Sequence, residues 1–162
     1  MPKSLSLVWI QNDVLSGIRG DAEHYYPLES GGILLGYLSG TEAVVTAWVD
    51  GGPLAVRRYD SFIPDQDHHI KSIARMYEKS GRRTIYLGDW HSHPYGPLVP
   101  SSRDKRTLRN IAQFREARIP TPVVLIVGPS EHFSAAAWTV RACGWRWQYR
   151  DVPTRIFFAE TF

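Results

Sequence analysis

The stretch Gly88-Asp89-Trp90-His91-Ser92-His93-Pro94-Tyr95-Gly96-Pro97-Leu98-Val99-Pro100-Ser101-Ser102-Arg103-Asp104 holds the residues best placed to do chemistry. His91 and His93 are two apart, and in a strand that spacing turns both imidazoles to the same side. Pro94 lacks the N–H a ladder needs, so the strand ends there with both rings at its rim. Pro100 holds Val99 extended and leads into a helix beginning near Ser101. Asp104 then lies in the first turn of that helix, where its carboxylate can swing back toward the histidines. Two neutral ring nitrogens and one carboxylate oxygen make a three-ligand zinc site with a fourth position open to water. Taken singly, the same residues have plainer roles. Ser101 followed three residues later by an acid is a helix N-cap, and Asp104 would favour the positive end of the helix.

These residues must be positioned by an alternation of strands and helices. Leu5 to Ile10 is strand-like, and Asn12 can cap a helix whose apolar positions are Val14, Leu15, Ile18 and Ala22. Gly31 to Leu38 and Ala43 to Val49 flank Ser39-Gly40-Thr41-Glu42 as a hairpin. Gly51-Gly52-Pro53 opens a polar stretch, to about residue 65, that reads as loop with one undecided strand. A second helix is predicted from Asp65 to Ser80, with Ile70, Ile73, Ala74 and Tyr77 forming one apolar stripe and Gly81 ending it. Thr84 to Trp90 is a strand, and Ser102 to about Ala117 a third helix with Leu108, Ile111 and Ala112 inward. Pro122 to Gly128 is continuously apolar, as a central strand covered on both faces requires. Ser134 to Val140 and Gly144 to Tyr149 form a closing antiparallel pair with Trp145, Trp147 and Tyr149 on one face. The expectation is an α/β sheet with roughly three helices in a single domain spanning residues 1–162.

Composition narrows the classes. Of 162 residues 43% are hydrophobic and 22% charged, which excludes disorder and collagen-like repeats. No apolar run approaches the roughly 20 residues that span a bilayer, so no membrane role is expected. The opening MPKSLSLVWIQND reads as a first strand and not a signal peptide. Cys143 is the single cysteine, which rules out an internal disulfide and fits a reducing, cytoplasmic setting. It reads as a small buried thiol without a base to make it a nucleophile. The net charge of +3 does not by itself predict nucleic-acid binding. Arg103, Lys105, Arg106, Arg109, Arg115 and Arg118 nonetheless crowd one helix, read as a solvated face. His24, His68, His69 and His132 have no ligand spacing and read as surface or packing residues. Trp90 is expected to pack on the face opposite the histidines. Asp89 is left open between a supporting role and a solvated one.

Together, His91-Ser92-His93, then seven residues, Ser101, two residues and Asp104 reproduce the signature of the JAMM (MPN-plus) metalloproteases. The chain resembles that family from about Leu5 to Tyr149, and Glu29-Ser30-Gly31-Gly32-Ile33-Leu34-Leu35-Gly36 resembles its upstream glutamate before a Gly-rich strand. The resemblance implies a cytidine-deaminase-like α/β domain with a mixed curved sheet. It also implies one Zn²⁺ held by His91, His93 and Asp104. Glu29 and Ser101 are then the catalytic residues, Glu29 moving the proton of the attacking water to the departing amine and Ser101 stabilising the oxyanion.

The family hydrolyses amide bonds, often the isopeptide after the C-terminus of a ubiquitin-like protein. The protein substrate implied here is therefore an extended C-terminal tail. The chain is similar to the prokaryotic branch, and most to deconjugating peptidases of type II CBASS antiphage operons. Those would release a nucleotidyltransferase ligated by E1–E2 partner enzymes. Loop 51–65 and the strands from Gly36 to Ala47 are the expected selectors of the tail. Two readings stay open beside deconjugation: trimming a ubiquitin-like sulfur-carrier precursor, and a metal-free interaction scaffold. No specific nucleic acid is expected, although weak, salt-sensitive DNA binding by the basic helix would be unsurprising.

Overall fold

The computed structural model describes residues 3–129 and 134–160. Its elements are β1 (Leu7–Gln11), α1 (Asn12–Tyr25), β2 (Gly31–Ser39), β3 (Glu42–Val49), β4 (Val56–Arg57), β5 (Phe62–Ile63), α2 (Gln66–Lys79), β6 (Ile85–Ser92), α3 (Ser102–Gln113), a 3-10 turn (Arg115–Ala117), β7 (Val123–Val127), β8 (Ala135–Cys143), β9 (Arg146–Val152) and β10 (Thr154–Phe157). Eight strands form one mixed sheet in the order β10-β1-β3-β2-β6-β7-β8-β9, and β4 with β5 makes a small separate hairpin. The α/β architecture with three α-helices read from the sequence is the one observed.

The sheet is covered on both faces. All five residues of β7 are buried. Val123, Leu125 and Val127 pack with Val14, Leu15 and Ile18 of α1. Val124 and Ile126 turn the other way, onto Leu108 of α3. Trp90 joins the α1 side, stacked edge-on with Trp48 and donating its indole N–H to the Val49 carbonyl. This is the face opposite the histidines, as expected.

Strand β6 does not alternate simply. Leu34 pairs with Gly88 and Leu35 with Tyr86, so Leu87 is an extra residue on β6. Gly88 takes φ +147° there, and a Cβ on it would lie 1.8 Å from the Val123 carbonyl oxygen. The bulge places Leu87 and Trp90 on the α1 face, and Tyr86 turns to the other side, where its hydroxyl reaches Asp89.

Several local expectations need correction. Asn12 is the first residue of α1; Gln11 occupies its N-cap without a side-chain bond. The α2 stripe, whose destination its period leaves open, does not enter the core: Ile70 is 62% exposed, and Ser72 is the only buried residue described in the helix. Helix α3 stops at Gln113 because Phe114 turns extended, with the 3-10 turn following it. Trp145 leaves the Trp147 and Tyr149 face because it lies in the β8–β9 turn, 84% exposed. Cys143, at the end of β8 beside that turn, is exposed. The undecided strand of loop 51–65 is the β4–β5 hairpin, and β10, parallel to β1, is an additional edge strand.

Candidate metal centre

The site lies at the carboxyl end of β6, where the chain crosses over through α3 to the parallel strand β7. In open α/β sheets that end of a strand is where ligands gather. His91 is the next-to-last residue of β6, and His93 follows the strand, its N–H bonded to the Val127 carbonyl at 2.8 Å. Asp104 sits in the first turn of α3.

The three side chains meet. His91 Nε2 is 2.9 Å from His93 Nε2. Asp104 Oδ1 is 3.3 Å from His91 Nε2, and Asp104 Oδ2 is 3.3 Å from His93 Nε2. Donors at about 2.0–2.1 Å from a tetrahedral ion stand roughly 3.3 Å apart, and one ligand atom from each of the three residues lies within 4.8 Å of the other two, close enough to share an ion after a small adjustment. Among the described residues, these three form the group able to offer one ligand atom each to a common ion. His93 Nδ1–H donates to the Pro97 carbonyl at 2.8 Å, which in the neutral ring leaves Nε2 bare and aimed at the triangle.

Asp104 also keeps the plainer role. Its Oδ2 accepts from the Ser101 N–H at 2.7 Å, and its own N–H donates to Ser101 Oγ at 3.2 Å, a complete capping box. Burial alone would raise its pKa. Hydrogen bonds from both histidines outweigh that and hold the carboxyl well below the usual carboxylate range. For His93, burial works against the charged ring, but the hydrogen bonds to Asp104 and Pro97 prevail and raise its pKa.

Glu29 precedes β2 and lines the same groove as His91 and Asp104. Its N–H donates to the Arg58 carbonyl at 2.7 Å, anchoring it to the β4–β5 turn. Burial raises its pKa, only partly countered by the nearby histidines. A carboxylate so placed is suited to taking up a proton. Ser101 is exposed at the α3 N-cap, and since its oxygen accepts the Asp104 N–H, its own proton can serve another acceptor.

Tyr86 carries no signal in the sequence. Asp89, left open, accepts from Tyr86 Oη at 2.8 Å on the groove floor, and burial raises its pKa. His68 bonds the Asp50 carboxylate at 2.9 Å and His69 the Asp50 carbonyl at 2.7 Å, tying α2 to the end of β3. His24 packs edge-on against Tyr25, and His132 lies outside the described residues. The groove, about 1220 Å³, runs from the site between α2 and α3, walled by Ile70, Ile73 and Tyr77 on one side and Ile111 and Phe114 on the other.

A "Probable metalloprotease y4qB" of Sinorhizobium fredii (strain NBRC 101917 / NGR234) is 42% identical over 141 residues, covering 85% of this chain and 84% of that protein. A "CD-NTase/cGAS isopeptidase" of Escherichia coli (strain TW11681) is 34% identical over 81 residues, 50% of this chain and 52% of its own length. Another, from Vibrio cholerae, is 30% identical over 105 residues and covers 65% of each chain. The solution structure of protein DSY2949 from Desulfitobacterium hafniense superposes with a TM-score of 0.71 over 94% of both chains, a likeness of fold at 20% identity. Residues 11–141 match the family described as prokaryotic homologs of the JAB domain, and the chain belongs to that family.

Proposed function

We propose that this protein is a zinc-dependent peptidase that hydrolyses the amide bond after an extended C-terminal tail, reversing conjugation of the tail-bearing protein. The single observation that carries the proposal is the triangle of His91, His93 and Asp104 donors with half-buried Glu29 in the same groove. The names of the relatives support an amide hydrolase that uses a metal.

His91, His93 and Asp104 would hold the ion; zinc there supplies Lewis acidity and makes water deprotonable near neutral pH. Glu29 takes the proton of the attacking water and delivers it to the departing nitrogen. Ser101 O–H donates to the carbonyl oxygen as negative charge develops on it. The groove between α2 and α3 receives the acyl side as an extended segment. Its mostly apolar walls account for the Ile70 stripe that the fold leaves uncovered.

The substrate we favour is a nucleotidyltransferase or ubiquitin-like protein joined through its C-terminus to a target amine by E1–E2 enzymes. The setting is antiphage (CBASS) defence in the cytoplasm, in line with the isopeptidase relatives. Processing of a sulfur-carrier precursor uses the same bond chemistry, so substrate choice must decide between them. Purified zinc-loaded protein is offered an amine-linked conjugate and an unprocessed precursor. Cleavage of the conjugate is expected; cleavage of the precursor alone would overturn deconjugation. Glu29→Gln should retain one zinc per chain and lose roughly 10²–10⁴-fold in rate, the usual worth of a general base. Asp104→Ala should lose zinc and activity together. Full activity after removal of the metal would refute the mechanism.

A further inference from the structure

The two strands that carry the candidate residues are joined at the site end by side chains. The β2–β6 ladder runs from Gly36↔Ile85 to Gly31↔His91 and stops. One residue further, the Ser92 N–H donates to the Ser30 carbonyl at 2.8 Å. The Ser30 N–H donates in return to Ser92 Oγ at 2.9 Å. A hydroxyl has taken the place of a backbone carbonyl, closing a ring between the residue after Glu29 and the residue between the two imidazoles. Both serines are buried, so each bond satisfies a polar group that water does not reach.

The hydroxyl of Ser30 is committed as well. It donates to the Asp21 carboxylate of α1 and accepts from Arg57 Nε–H of β4 at 3.2 Å. Arg57 is itself steadied with its guanidinium 3.7 Å above the Tyr25 ring. Elements α1, β2, β4 and β6 therefore meet on one buried serine. Glu29, the preceding residue, has its N–H fixed by the Arg58 carbonyl. None of these bonds touches the Glu29 carboxyl; they fix the backbone from which it projects.

We infer that Ser92 and Ser30 are positioning residues, a two-serine clasp braced by Asp21 and Arg57 that sets the reach of Glu29 toward His91 and His93. The inference rests on the proposed role of Glu29 as proton carrier. A purely structural pair would lower stability when broken and leave proton transfer alone.

The test compares zinc-loaded Ser92→Ala, Ser92→Thr and Ser30→Ala on the amine-linked conjugate. Ser92→Ala should bind zinc with unchanged stoichiometry and lose roughly 10- to 100-fold in kcat, the usual cost of removing such a supporting group. KM should stay in place, and the acid limb of the pH profile should move. Ser92→Thr, which keeps the hydroxyl on a strand-favouring side chain, should restore kcat. Combined with Glu29→Gln, Ser92→Ala should cost nothing further, because the group it positions is gone. In the metal-free protein, amide exchange at Ser30 followed by NMR should quicken in Ser92→Ala and stay slow in Ser92→Thr. Wild-type kcat and pH profile in Ser92→Ala, or an equal loss in the Glu29→Gln background, would overturn the clasp. Unaltered Ser30 exchange would overturn it without reference to turnover. A wild-type protein that cleaves nothing would instead sink the role of Glu29, while the exchange result still reports on the serine bonds. Should Ser92→Ala fail to fold, Ser30→Ala is judged on kcat, KM and pH profile by the same criteria.

Discussion

Asp104 serves two structures with one carboxylate: Oδ2 closes the α3 capping box while Oδ1 faces His91. The positive end of the helix and the two imidazoles both favour the ionised form, so the carboxylate is charged, as its proposed role requires, at any physiological pH. Glu29 is tuned the other way, its pKa raised by burial. The acid limb of kcat/KM should therefore lie above the ordinary glutamate value of about 4.3, and a pH–rate profile checks it. The linkage has a definite sign. Between about 4.3 and its raised value the native state binds more proton at Glu29 than the unfolded chain does, so this group costs stability as pH rises through that window. The His91, His93, Ser101 and Asp104 spacing was legible because it is local, spanning one strand end and one helix start. Tyr86 and Asp89 were not, because a bulge that no alternation rule contains turns them to the same side.

At the scale of elements, Gly88 and α2 carry the instructive features. The β6 bulge requires a residue that tolerates φ +147° and presents no Cβ to the Val123 carbonyl. Gly88→Ala should cost at least the roughly 1–3 kcal/mol typical of overpacking, measured as a lower urea midpoint. Helix α2 was recognisable from its period, but the destination of its stripe was not. Periodicity reports an apolar face and is silent on whether the chain itself covers it. Ile70, 62% exposed, should tolerate Ile70→Glu with little change in thermal stability. If the tail lies in the groove, the same substitution should raise KM several-fold, which steady-state kinetics on the conjugate measures. Strand β10 escaped notice for a related reason: four mostly exposed residues after Pro153 give hardly any alternation to read.

At the scale of the whole molecule, an ion held by His91, His93 and Asp104 would pin the end of β6 to the start of α3, elements that are otherwise joined through the proline-rich segment 94–100. Binding of an ion should therefore stabilise the native state. At zinc one hundredfold above its Kd the gain is about 2.7 kcal/mol, or roughly 5–10 °C in Tm for a chain of this size. Calorimetry with and without chelator measures it, and an unchanged Tm would argue against a native-state metal centre. The sheet's overall plan was legible because β7 is apolar throughout and needs helices on both faces, which α1 and α3 supply. The exposed Cys143 has a practical consequence. Strand β8 begins beside Val127, near the histidines, and ends at Cys143, roughly 26 Å away at about 3.3 Å per residue. As the only thiol of the chain, it would accept one maleimide fluorophore at a distance suited to energy transfer. A labelled peptide arriving in the cleft could then be watched in real time without disturbing the groups that would cut it.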